Sequence, residues 1–218
     1  MVVVTDDPVF NLARARNLGA NAAVTPWLLF IDADVLVTDL QDWINHGLQA
    51  GKFYMTRNYG TDLTGTFFCM RQIYSQIAGY DEAFRGWGGE DDDMYYRLAK
   101  AGQQKQTYPD SIFVSINHDE DERFAEYPDS NKTKQWMVNQ WYRNIKYDLM
   151  AVRGGDLSLA ERIYIRKLAT EAALNAIGDE VIIPTELFVN LGENMDLIRL
   201  NAWALDRRLI YTVRSRAQ

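Results

Sequence analysis

Trp27-Leu-Leu-Phe-Ile31 is an unbroken apolar run that ends abruptly in Asp32-Ala33-Asp34. Such a run suits a strand buried on both faces, as in a parallel α/β sheet. Ligands of open α/β sheets bind beyond the carboxyl ends of the strands, and Asp32 and Asp34 stand at such an end. Two positions apart on an extended chain, they point the same way. Neighbouring carboxylates repel unless a cation lies between them. Hard divalent ions such as Mn²⁺ or Mg²⁺ take oxygen ligands from carboxylates and phosphates together. A bare Asp-x-Asp also has a plainer reading, in which two acids merely solubilise a loop. Phosphotransferases that form an aspartyl-phosphate carry the same pair, usually with Thr or Val two residues on. Here that position is Leu36, which argues against them.

Outward from this run, strands and helices alternate. Val2–Val4 reads as a short buried strand, and Asn11–Ala23 as a helix with Leu12, Ala15 and Leu18 on one side. Asp39 caps an expected helix running to Ala50 and closed by Gly51. Phe53–Thr56 and Thr66–Met70 read as strands, and Arg71–Ala78 as a helix ending at Gly79. Glu90–Ala101 is predicted helical because Met94, Leu98 and Ala101 share a face, and Gly102 stops it. Ser111–Asn117 alternates as a last strand before His118, and Asp119–Asn131 is a polar loop. Lys132–Met150 and Leu157–Ile177 read as helices, Asn194–Arg207 as a further helix and Leu209–Val213 as a strand. The pattern predicts an α/β domain over 1–150 and a helical C-terminal extension over 151–218.

With 218 residues, 47% hydrophobic and 24% charged, the chain has the composition of an ordinary globular protein. Its net charge of −7 argues against a nucleic-acid partner, but not against a nucleotide whose phosphates a metal neutralises. The one cysteine, Cys69, excludes an internal disulfide. No apolar stretch reaches the roughly 20 residues of a membrane span. The N-terminus lacks the features of a signal peptide, so a cytoplasmic location is expected.

A second acidic cluster lies in Phe84-Arg-Gly-Trp-Gly-Gly-Glu-Asp-Asp-Asp93. Acids in a first helical turn are favoured by the helix dipole, at about 0.3–1 kcal/mol each. That explains one or two of them, whereas four in a row repel one another. A sugar acceptor explains them better, since one carboxylate can take the proton of an attacking hydroxyl while another holds a second hydroxyl in register. Trp87, set among Gly86, Gly88 and Gly89, would pack on a sugar ring, and the glycines would let the segment close as a lid. Ordinary core packing is the competing reading for Trp87. His118 is one of two histidines. A neutral imidazole is a ligand for Mn²⁺-type sites, although a lone histidine is more often structural. His46, inside a predicted surface helix, reads as structural.

Four blocks in order carry a family resemblance: Phe10-Asn-Leu-Ala-Arg-Ala-Arg-Asn-Leu-Gly19, Ile31-Asp-Ala-Asp34, Gly65-Thr66 before Tyr80-Asp-Glu-Ala-Phe-Arg-Gly-Trp-Gly-Gly-Glu-Asp-Asp-Asp93, and Asn117-His118-Asp119. Together they resemble the metal-dependent GT-A glycosyltransferases, in particular the β-1,4-galactosyltransferases and the related domains of chondroitin polymerases and polypeptide N-acetylgalactosaminyltransferases. The resemblance implies a GT-A-like mixed sheet flanked by helices. It implies Asp34 and His118 as ligands of Mn²⁺ (or Mg²⁺), and Asp32 at the ribose or the metal's water shell. It implies Phe10 beside the uracil and Trp87 between donor and acceptor. Asp91 would be the general base, with Glu90 and Asp92 supporting hydroxyls, and Asn17, Gly65 and Gly89 would belong to the donor and acceptor surfaces.

The expected activity is inverting transfer of a hexose or N-acetylhexosamine from a UDP-sugar to a saccharide or other hydroxyl acceptor. Only nine residues precede Phe10, and Leu12 stands where the galactosyltransferases carry an arginine. The nucleotide half is therefore expected to be short or missing: either a partner chain, an oligomer or the C-terminal helices complete the pocket, or donor binding is weak. The alternatives are a non-catalytic sugar- or nucleotide-binding relative and a glycoside hydrolase, which also needs paired carboxylates.

Overall fold

The computed structural model describes residues 9–58, 61–116, 131–176, 185–193 and 206–213. The strand expected at Val2–Val4, the segment holding His118 and most of the helix expected at Asn194–Arg207 lie outside them. The chain divides into two compact units, 1–130 and 131–218. The division falls before position 150 because Lys132–Arg153 is one uninterrupted helix.

In the first unit α1 (Leu12–Ala22) starts at Asn11, whose side chain accepts the Arg14 N–H, as an N-cap does. It leads into β1 (Trp27–Phe30), followed by β2 (Val35–Val37), α2 (Leu40–Gly47), β3 (Lys52–Met55) and β4 (Phe67–Met70). Then come α3 (Arg71–Gln76), α4 (Glu90–Lys100), β5 (Gln104–Thr107) and β6 (Phe113–Ser115). The main sheet has the order β1-β4-β3-β5. β4 runs antiparallel to both β1 and β3, while β5 is parallel to β3. The sheet is thus mixed, and β1 pairs antiparallel with β4 where a parallel neighbour was expected. Its run is apolar because Leu28 and Phe30 enter the core while Trp27 and Leu29 pack on a second cluster across the sheet.

The core is aromatic. Phe30 stacks on Phe67 at 4.8 Å and on Tyr74 at 5.1 Å, and Tyr80 meets Phe30 edge-on. These rings fix the end of β1 against the turn that precedes α4. β2 and β6 form a separate antiparallel ribbon, and the Ile116 N–H donates to the Asp34 carbonyl at 2.7 Å. That bond ties the acidic strand end to the chain two residues before His118.

In the second unit, α5 (Lys132–Arg153) and α6 (Leu159–Ala176) pack together, followed by the antiparallel hairpin β7 (Thr185–Glu193) and β8 (Asp206–Val213). The C-terminal part is therefore not wholly helical. α6 begins with a capping box: Glu161 accepts from the Ser158 N–H and hydroxyl at 2.8 Å, and the Glu161 N–H returns to Ser158 Oγ at 3.3 Å. Among the described residues, no helix is long and apolar enough to cross a membrane.

Candidate active site

The acidic strand end and the acidic helix start meet at Arg16. This residue lies on the stripe of α1 that also carries buried Ala13 and Ala20, so its side chain goes inward and is only 8% exposed. A buried guanidinium requires anionic partners. Nη2 donates to Asp32 Oδ1 at 2.7 Å, and Nη1 donates to Asp91 Oδ1 and to Tyr80 Oη, both at 2.7 Å. The Tyr80 hydroxyl in turn donates to Asp91 Oδ1 at 2.7 Å. Burial disfavours the cation, but Tyr80, Asp91, Asp32 and Glu90 outweigh it and hold Arg16 firmly protonated.

Gly65 is the floor of this arrangement. A Cβ there would stand 2.7 Å from Arg16 Nη2, 3.1 Å from Asp32 Oδ2 and 3.2 Å from Asp91 Oδ2. Both carboxylates therefore turn their second oxygen toward one point above Gly65. Their first oxygens are engaged by Arg16, whereas no hydrogen bond is recorded on either Oδ2 among the described residues. Asp32 is 38% exposed and Asp91 15%, so the spot is reachable from solvent.

The four acids that open α4 fan out, because successive helical residues are turned about 100° from one another. Asp93 is buried and accepts from Arg97 Nε at 2.8 Å, and Arg97 Nη1 ties down the carbonyls of Ile77 and Gly79. Asp91 faces Arg16, and Asp92 is half-exposed. Glu90 keeps Oε2 away from solvent with no hydrogen-bond partner among the described residues. Burial first, and then the charge of Asp91, push its carboxyl up to about 8, so it is protonated at neutral pH. Mutual repulsion is thus relieved by one proton and two arginines. Gly86, Gly88 and Gly89 all have positive φ, 70°, 84° and 94°, a region that favours glycine. Gly89 is the N-cap of α4. Trp87, between these glycines, is half-buried, and Phe10 is 48% exposed at the entry to α1.

Asn17 has a different task from the one expected. Its Nδ2 donates to the Tyr80 carbonyl and to Glu82, and its Oδ1 accepts from the Tyr80 N–H and the Tyr74 hydroxyl. All four positions of a carboxamide are filled, leaving none for a ligand. Asn17 shapes the turn that delivers Tyr80. Asp34 is half-buried next to the Asp32–Val35 turn. Among the described residues no three His, Cys, Asp or Glu side chains gather as a metal site. Asp34 offers a carboxylate of the right chemistry for a hard cation, and a cation held there would need further ligands from elsewhere. His46 is exposed on α2, with Nδ1 3.1 Å from the Asp42 carbonyl. Arg16 and Tyr80 were not picked out as functional from sequence. The available signal was a single arginine on the small-residue stripe Ala13–Arg16–Ala20.

Residues 46–119 match the family model described as the N-terminal domain of galactosyltransferase. Over 165 residues the chain is 24% identical to β-1,4-galactosyltransferase 1 of Bos taurus, covering 67% of this chain and 41% of that protein. Over 105 residues it is 30% identical to β-1,4-galactosyltransferase 7 of Mus musculus, covering 44% and 32% respectively. A solved structure of a mutant Drosophila β-1,4-galactosyltransferase 7, in complex with manganese, UDP-Gal and xylobiose, aligns with a TM-score of 0.44 and 22% identity, over 53% of this chain and 54% of that one. In sequence the chain is similar to galactosyltransferases. The relatives it matches are β-1,4-galactosyltransferases, of whose length the chain spans less than half.

Proposed function

We propose that the chain transfers a hexose or N-acetylhexosamine from a UDP-sugar to a hydroxyl acceptor, with inversion at the anomeric carbon. The observation that carries this reading is the meeting of Asp32 and Asp91 above Gly65. It joins the strand-end acids suited to a donor with the helix-start acids suited to an acceptor. Asp91 Oδ2, the oxygen that Arg16 and Tyr80 leave unused, takes the acceptor proton. The acceptor oxygen then bonds to the anomeric carbon, and the bond to the nucleoside diphosphate breaks with its electron pair going to phosphate. Glu90, neutral at pH 7, can donate a hydrogen bond beside Asp91 without adding charge. Trp87 and Phe10 offer flat faces for a sugar and a base, and Asp92 supports a hydroxyl. Asp34 and His118 would hold a Mn²⁺ or Mg²⁺ ion, which when bound offsets the charge of the leaving diphosphate.

Incubation of the full chain with UDP-hexoses, Mn²⁺ and a panel of saccharide acceptors tests the reading. UDP release matched by a glycosylated product, and abolished by a chelator, is expected. Sugar release without nucleotide would make the protein a hydrolase, and metal-dependent UDP binding without turnover would make it a non-catalytic binding module.

A further inference from the structure

Arg16 touches both halves of the site. Its two terminal nitrogens address carboxylates delivered by different elements, Asp32 after β1 and Asp91 in the first turn of α4. Its guanidinium lies 5.0 Å from the centre of the Tyr80 ring, and that hydroxyl bonds the same Asp91 oxygen. Only a planar fork can serve two carboxylates in this way. The consequence is directional: with Oδ1 of each acid engaged by the fork, Oδ2 of each is left toward the common point above Gly65.

We propose that Arg16 is a positioning residue of the transfer reaction, acting through Asp91 and Asp32 to set the proton-accepting oxygen in register with the donor. The proposal rests on the transferase reading above. Arg16 touches neither substrate. It fixes which oxygen of Asp91 receives the acceptor proton, and its charge separates two carboxylates that would otherwise repel each other across the gap they share.

The test uses the intact 218-residue chain with the variants Arg16→Met and Arg16→Lys. For Arg16→Met, kcat is expected to fall about 10²-fold, the scale of a small misplacement at a reacting centre, while KM for the UDP-sugar changes less than threefold. Arg16→Lys restores the charge but not the fork, so part of kcat returns and most of the deficit remains. A loss confined to KM, or full recovery with lysine, would overturn positioning by the fork. A second measurement needs no turnover: urea-unfolding double-mutant cycles of Arg16→Met with Asp91→Asn and with Asp32→Asn. Non-additive losses in both cycles establish the bridge, and additive losses in either remove it. If the wild-type chain turns over no UDP-sugar, the transferase reading falls and the positioning role falls with it, whatever the cycles show. Additive cycles in an active enzyme overturn the Arg16 proposal alone.

Discussion

Between Gly65 and Arg16 there is room for a hydrogen and nothing larger, since a methyl on Gly65 would sit 2.7 Å from Nη2. The guanidinium cannot swing aside without losing its bond to Asp32 or Asp91. Gly65→Ala is therefore expected to destabilise the protein by about 1–3 kcal/mol, the usual cost of overpacking, and to lower transfer. Unfolding in urea and steady-state rates check this. An alanine variant with unchanged stability and rate would show that the arrangement is looser than drawn.

Asp91→Asn keeps the shape but removes the proposed proton acceptor. Transfer should fall by about 10²–10⁴-fold, the usual contribution of a general base, with UDP affinity within threefold of the parent. Calorimetry and initial rates separate the two quantities. Near-normal turnover would rule Asp91 out as the base.

Glu90 makes stability depend on pH. Unfolded, its carboxyl ionises near 4.5; folded, burial and Asp91 raise it to about 8. Between those values the unfolded state has released a proton that the folded state retains. Stability therefore falls as pH rises through this window and levels off above it. Glu90→Gln cannot titrate, so its urea midpoint should drop less than the parent's between pH 5 and pH 8.5. Parallel curves for the two proteins would contradict the assignment.

Asn17→Ala should behave as a structural lesion. It removes four hydrogen bonds around Tyr80, at a cost of about 2–4 kcal/mol. Donor KM of the protein that remains folded should change less than threefold. A large KM effect with little loss of stability would return Asn17 to the ligand surface.

Much of this architecture was legible in sequence where a residue's neighbours decide its environment. The apolar run Trp27–Ile31, the periodicity of Met94 and Leu98 and the glycines around Trp87 each announce their structure locally. β5 was not legible because Gln104–Thr107 is exposed and polar throughout, so it has no alternation to read. β2 is three residues long and follows a turn directly. Of the C-terminal hairpin, the strand read at Leu209–Val213 falls within β8, whereas β7 was hidden by a weak pattern after Pro184. Arg16 was hidden for another reason. An arginine on a helix is by default a surface residue, and only the arrival of two distant acids makes its inward course sensible. The four acids of α4 were read as a group, whereas helical geometry gives each a separate environment. Asp93 and Arg97 are an i,i+4 pair readable from helical spacing, but only a folded chain shows that Asp91 belongs to Arg16.

Because a single side chain of α1 grips both carboxylates, α1 works as a yoke. Any tilt or slide of that helix is transmitted to β1's end and to α4's start at the same time. The two acids consequently cannot drift apart one by one. A ligand that tightens either of them would, through Arg16, steady the other.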